Sequence, residues 1–410
     1  MQADRTPTHQ SSSVRRIAAT IRRRRRRAAL GLPRRIEAAI LALLILLVCA
    51  VVWPFNKVHL QAIAVLDLVA NQPIPAPIRA LVAEPITAEI LTIPTANGPV
   101  QARMYTPVHH PNAPAFLVLH GVHHLGMNEP RLVAFASAMA SCGMRVLTPQ
   151  LPDIADYQVG ANSIATIGDS ARWLAAHNNG RPVGVMGLSF SGGLSLLAAA
   201  DPAYRSSIRF VVAIGSQDEM SRVATYYRTG EDDLPNGKEE SLPPHEYGAL
   251  VMEYEHLEDF APKQDLAALR AVLRAHLYED KPGEDAAIAK LNPQQKTEAT
   301  ELMATTSPAT RDLLAKAEAK HVAEMAGVSP HGHLATLTTP VYLLHGEGDN
   351  IIPSAETQWM AAELPSQTLQ AELISPLLSH LDLDGHAPDA MDRWRLIHFF
   401  ALILHDAEKH

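Results

Sequence analysis

The stretch Val183-Gly184-Val185-Met186-Gly187-Leu188-Ser189-Phe190-Ser191-Gly192-Gly193 decides the fold. Val183 to Met186 reads as a short buried strand, and a helix follows from Gly192 to Ala200 with only five residues between them. A serine on so sharp a strand-to-helix turn is held out of the sheet with its oxygen exposed, and small neighbours let the turn close. In the pattern G-x-S-x-G the second glycine is here Ser191, which leaves two readings. Either Ser189 is the nucleophile and Ser191 a small residue tolerated at the strand-helix contact, or Ser191 is the nucleophile and Ser189 stands in the first glycine position. The strand leads directly into Gly187, and the shifted reading inserts two residues into the turn, which favours Ser189. A Gly/Ser-rich helix start without chemistry, or one that binds an anion on its free N–H groups, explains the same letters structurally.

Working outward, strands alternate with helices, the mark of a mostly parallel sheet covered on both faces. Glu89 to Ile93 and Val100 to Tyr105 flank Asn97-Gly98, a hairpin signal, so the sheet opens with an antiparallel pair. Further strands are expected at Phe116 to Leu119, Met144 to Leu147 and Phe210 to Ile214, and helices at Pro130 to Ser141 and Ile164 to His177. Residues 218–335 then carry no strand signal and have helical spacing, as in Asp265 to Leu277 and Pro308 to Met325, so they form an insertion. The alternation resumes with strands at Val341 to Leu344 and Gln370 to Ile374, a helix near Ala355 to Glu363, and a closing helix from Asp389 to Leu404.

With a serine at such a turn, the chain resembles the α/β-hydrolase fold superfamily, most closely its serine esterase and dienelactone-hydrolase-like branches. The resemblance covers 86–217 and 336–410, with the insertion where such enzymes often carry a lid. Dienelactone hydrolase itself uses a cysteine, so a seryl nucleophile points to the esterase relatives. The resemblance implies an order of serine, acid, histidine. The acid loop of the family is similar to His345-Gly346-Glu347-Gly348-Asp349-Asn350, in which Asp349 matches. Glu347 and Asp218 are the other carboxylates, and a turn-forming aspartate explains the Gly-Asp-Asn composition equally. Two histidines, His380 and His386, follow the last strand on the loop where the family carries the base. His380 lies nearer the strand end and is the match.

His120-Gly121-Val122 resembles the family's HG segment, implying an oxyanion hole from the N–H groups of Val122 and Phe190. His120, His123 and His124 lack a further ligand at the usual spacing, so no metal is expected there and they are placed at the pocket mouth. The implied activity is cleavage of a carboxylic ester through an acyl-enzyme, without a cofactor. A peptidase of the same fold, or a decayed hydrolase kept as a tethered binding domain, are the alternatives.

Composition bounds the partners. Among 410 residues, 47% are hydrophobic and 19% charged, enough for a sizeable core, and two cysteines exclude a disulfide framework. Residues 1–37 hold eleven arginines against Asp4 and Glu37, so of the net −8 this tail carries +9 and the remainder −17. An acidic body excludes nucleic acid as its partner. Ile36 to Phe55 is twenty residues whose single charge is Glu37, and at about 1.5 Å per residue it spans a bilayer's hydrocarbon core. Arg22 to Arg27, Arg34 and Arg35 precede it, so the positive-inside rule puts the basic tail 1–35 in the cytoplasm and the catalytic domain on the outer side of the cytoplasmic membrane. A cleaved signal peptide is the alternative, with Ala62-Ile63-Ala64 as its small-x-small site. Residues 56–85, with four prolines, read as a membrane-proximal linker or short helix.

Overall fold

The computed structural model describes residues 34–378 and 389–409, with the backbone alone for most of 34–54. The chain divides into two units at Asn56. In the first, helix α1 (Arg34–Val69) begins; among the described residues no helix is long and apolar enough to cross a membrane, and the expected span 36–55 falls where most side chains lie outside the description.

The second unit is built on one eight-stranded sheet. Its strands are β1 (Ile86–Ile93), β2 (Val100–Pro107), β3 (Ala115–Leu119), β4 (Arg145–Pro149), β5 (Val183–Leu188), β6 (Ile208–Ile214), β9 (Val341–Gly346) and β10 (Leu369–Ser375). Their order is β1-β2-β4-β3-β5-β6-β9-β10. The pairs β1/β2 and β2/β4 are antiparallel, and every pair from β4/β3 to β9/β10 is parallel. Parallel strands need crossover helices, which cover both faces and leave the central strands without a solvent side. All five residues of β3 are accordingly buried.

Alternation along the strands divides the core into two layers. Leu117, Val185, Val211 and Leu343 face the layer of α4 (Asn162–Ala176), α5 (Phe190–Ala200) and the insertion. Phe116, Met186, Phe210, Val212 and Tyr342 face the layer of α3 (Pro130–Ser141) and α13 (Ala390–Glu408). Each fully buried apolar side chain of this kind contributes about 1.5–3 kcal/mol. Helix α3 starts where Pro130 occupies the first turn and the Glu129 carboxylate accepts the Leu132 N–H at 2.8 Å. This is the α/β-hydrolase fold, with β2 reversed and the Ser189 turn following a central parallel strand.

Of the two readings of residues 56–85 the linker is corrected and the short helix stands: the end of α1 and the short helix α2 (Ala76–Val82) pack into the second layer, with Val58, Ala62, Ala64 and Val65 buried. Four prolines suggested a spacer, yet three lie between the two helices or at the start of the second, and Ala62 and Ala64 are buried within the first. The insertion contains strands: β7 (Glu231–Asp233) and β8 (Glu239–Ser241) form a hairpin closed at Asn236-Gly237, where Gly237 has φ 77°. Its residues are nearly all acidic and carry no strand alternation, so turn geometry and not side-chain pattern makes it. The rest of the insertion is α6 (Met220–Thr229), α7 (Glu246–Glu255), α8 (Leu266–Leu277), α9 (Lys281–Lys290), α10 (Pro293–Met303) and α11 (Pro308–Ala326); α12 (Ala355–Glu363) follows β9.

Candidate active site

Ser189 sits between β5 and α5 at φ 57° and ψ −139°, a conformation that costs a non-glycine residue about 1–3 kcal/mol. Surrounding hydrogen bonds hold it there. The Ser189 N–H donates to the Ile214 carbonyl at 2.8 Å, and its own carbonyl accepts from the Gly192 N–H at 2.9 Å and the Ser216 hydroxyl at 2.8 Å. Two glycines make the turn possible, since a Cβ on Gly187 would lie 2.4 Å from the Ser191 carbonyl oxygen and one on Gly192 would lie 1.9 Å from the Ser216 Oγ. Ser191 is fully buried in the first turn of α5, and its hydroxyl donates to the Leu188 carbonyl at 2.7 Å. Of the two serines, only Ser189 stands on the strained turn.

The loop after β3 lies against that serine. A Cβ on Gly121 would meet the Ser189 Cβ at 3.1 Å, so only a glycine lets the backbone approach this closely. His120 fixes the loop from behind: its Nδ1–H donates to the Gly121 carbonyl at 2.8 Å and its Nε2 accepts the Leu151 N–H at 3.0 Å. Burial lowers its pKa to about 4, so the ring is a neutral strut near pH 7. It was expected at the pocket mouth with His123 and His124; its side chain turns inward because Leu151 offers it an N–H. His123 and His124 do lie partly exposed, stacked on each other at 4.6 Å, with His124 stacked in turn on Tyr278 at 4.7 Å. Phe190, first residue of α5, has an N–H with no carbonyl beneath it in the helix.

Asp349 occupies the loop after β9 and is buried. Its Oδ1 accepts the N–H groups of Ile351 and Ile352, both at 3.0 Å, and its Oδ2 lies 3.4 Å from the Nε2 of His345. Backbone donors of this kind hold a carboxylate in one orientation. Glu347 is exposed. Asp218 is committed elsewhere: its Oδ2 meets Arg222 at 2.9 Å and the Nδ1 of His331 at 3.1 Å. Burial, with Glu356 behind it, raises the Asp218 pKa against the pull of Arg222. His380 and His386 lie outside the described residues, between Leu378, three residues past β10, and Asp389 at the start of α13.

Sequence reading missed what the insertion does here. The Tyr247 hydroxyl on α7 donates to the Val122 carbonyl at 2.8 Å. The Asn350 carbonyl, next to Asp349, accepts from the His245 N–H at 2.8 Å and the Tyr226 hydroxyl at 3.3 Å. The insertion thus touches both the Val122 loop and the acid loop. A cavity of about 30 Å³ is lined by Phe190, Ala224, Tyr227, Met252, His256 and Met325 among others. That is room for about one water.

No protein-family model matches the chain, and no curated protein matches it in sequence. Solved structures do resemble it. The acylaminoacyl peptidase of Pyrococcus horikoshii is 12% identical with a TM-score of 0.44, over 78% of this chain and 41% of that one, so the chain spans about two-fifths of that protein. The esterase of Pyrobaculum calidifontis is 14% identical with a TM-score of 0.43, over 85% of this chain and 91% of that one. The proline iminopeptidase of Mycobacterium smegmatis is 17% identical with a TM-score of 0.41, over 78% and 99% of the two chains.

Proposed function

We propose that the protein is a serine hydrolase that cleaves a carboxylic ester through an acyl-enzyme, and that residues 36–55 anchor it in the cytoplasmic membrane with the catalytic unit outside. The reading rests on the strained Ser189, with the Gly121 backbone against it on one side and Asp349 held by two backbone donors at the end of β9. Ser189 Oγ attacks the ester carbonyl while His380 takes its proton. The carbonyl oxygen becomes negative and is met by the N–H groups of Val122 and Phe190. The intermediate collapses, the alcohol leaves with the proton from His380, and water repeats the sequence to release the acid. Asp349 orients the histidine and stabilises its cation. The insertion acts as a lid, since Tyr247 and His245 carry it onto both the Val122 loop and the acid loop.

Labelling with a fluorophosphonate, followed by nitrophenyl esters of rising chain length, tests the chemistry. Labelling that stops in Ser189→Ala, with turnover of at least one ester, is the expected result; an unlabelled wild-type protein removes the reading. For the anchor, a phosphatase fused after residue 85 should be active only outside the cytoplasmic membrane, and the chain should stay in the pellet after a carbonate wash. Release of a soluble form beginning near Val65 would favour the cleaved leader instead.

A further inference from the structure

His345 stands one residue from the end of β9 and four before Asp349, and the ester chemistry gives its side chain no part. Its backbone is fixed by the sheet: it pairs with Ile374 of β10, and the Leu344 carbonyl beside it accepts the Gly215 N–H at 2.8 Å. The ring is wholly buried, and both of its nitrogens are engaged. Nε2 lies 2.8 Å from the Ile352 carbonyl, which can only accept, so Nε2 carries a proton and donates it. Nδ1 lies 2.7 Å from the hydroxyl of Thr357, a fully buried residue in the first turn of α12. The imidazole thus ties a strand end to the far side of the acid loop.

Ile352 uses both of its main-chain groups: its carbonyl is held by His345, and its N–H donates to the Asp349 Oδ1 at 3.0 Å. The other carboxylate oxygen, Oδ2, lies 3.4 Å from the same Nε2. Both oxygens of Asp349 therefore refer to one ring, Oδ2 directly and Oδ1 through the Ile352 residue. The terminal torsion of an aspartate is broad, so its own rotamer does not fix the plane of the carboxylate. Groups around it have to. We propose that, on the serine-hydrolase reading in which Asp349 is the acid, His345 is the positioning residue that sets the plane of the Asp349 carboxylate and so its aim at the histidine that takes the serine proton. Thr357 holds the ring in turn, so the frame behind the acid runs from β9 through the imidazole to α12. An apolar side chain of the same size would fill the space but leave the Ile352 carbonyl without this donor.

The test uses the full-length chain and measures kcat and KM on a nitrophenyl ester, together with the rate of fluorophosphonate labelling. A glutamine amide puts an N–H about where Nε2 stands, whereas an asparagine amide reaches only the Nδ1 position. His345→Asn should therefore lower kcat and the labelling rate about 10–100-fold, the cost of a misplaced catalytic group, with KM within about threefold. His345→Gln should bring kcat back to within about fivefold of wild type. In an Asp349→Asn background no carboxylate remains to be set, and there His345→Asn should cost no more than about twofold. A side chain that only supports the fold costs the same in both backgrounds; that result, or a wild-type rate in His345→Asn, overturns the proposal. If His345→Asn fails to fold, Thr357→Val carries the test, because it removes only the hydroxyl at Nδ1. Its expected loss of about three- to tenfold in kcat should likewise vanish in Asp349→Asn, and an equal loss in both backgrounds overturns the proposal. Wild-type protein that the fluorophosphonate leaves unlabelled removes the hydrolase reading itself, whereas a labelled wild type with an equally reactive His345→Asn removes the role of His345 alone.

Discussion

At the carboxyl ends of β3, β5 and β9, the groups that frame the site have partners: both nitrogens of His120, both oxygens of Asp349, the hydroxyls of Ser191 and Ser216. The insertion differs. Among the described residues, twelve buried side-chain polar atoms lack a partner, and seven of them fall in 218–335, including both oxygens of Glu253 and the hydroxyl of Tyr227. Polar groups buried without partners subtract from the stability of whatever conformation buries them. The sheet therefore holds a rigid half of the site, while the packing of the insertion is the less strongly favoured half.

The largest effect belongs to the rigid half. Ser189→Ala should lower kcat by roughly 10⁴ or more and abolish fluorophosphonate labelling. Ser191→Ala should keep most turnover and lose about 1 kcal/mol of stability, the value of its bond to Leu188. The reverse pattern would move the nucleophile.

Asp349→Asn comes next. The amide oxygen can still accept the N–H groups of Ile351 and Ile352, so the loop should keep its shape while kcat falls by up to about 10⁴. His380→Ala should be at least as damaging and His386→Ala should leave kcat near wild type. Near-normal turnover in Asp349→Asn would direct attention to Asp218 and His386.

For the insertion, the measurable quantity is stability against pH. Burial pushes the Glu253 carboxyl up to about 9. Between about pH 4.3 and that value the unfolded chain sheds a proton that the folded chain keeps, so stability falls as pH rises, by up to about 1.4 kcal/mol per pH unit from this one group. Glu253→Gln should remove that slope, raising the denaturation midpoint at pH 8 and leaving it unchanged at pH 4. Equal midpoints for the two proteins at pH 8 would show that Glu253 is hydrated and the insertion looser than its packing implies.

The smallest effect lies where the halves meet. Tyr247→Phe removes one hydroxyl from the Val122 carbonyl, worth about 1 kcal/mol, and should lower kcat by no more than about tenfold. A loss of several orders of magnitude would make the insertion part of the rigid framework and erase the contrast.

The same contrast explains what could be read in the sequence. The central strands of the sheet, buried on both faces, are apolar runs too short for helices, and the Ser189 turn is signalled by the residues that let it close, so Val183 to Gly193 shows the fold and the strained serine. Asp349 needed the family resemblance, because a Gly-Asp-Asn turn without chemistry has the same letters. Tyr247 and Val122 are 125 positions apart, and the stacked rings of His256 and His321 sixty-five, with no local pattern tying either pair. In a helical insertion the partner of each face is chosen by packing, and periodicity says only that a face exists. The hairpin of Glu231–Asp233 and Glu239–Ser241 was hidden for the opposite reason: acidic side chains on a short surface ribbon leave no hydrophobic alternation.

The two ends of the insertion leave the sheet side by side. The His331 N–H donates to the Asp218 carbonyl at 3.0 Å, the Met220 N–H to the Ser329 hydroxyl at 2.9 Å, and the Glu363 carboxylate accepts the N–H groups of Gly332, Leu334 and Ala335. A segment of more than a hundred residues thus begins and ends within one hydrogen bond of itself. Loop closure costs little more for a long excursion than for a short one, each doubling adding about 0.6 kcal/mol, so the sheet is nearly indifferent to the length of chain that bridges this gap. The protein is in this sense a socket and a cassette: the ends at Asp218 and His331 are fastened to each other and to Glu363 at one place, whatever the length of chain between them.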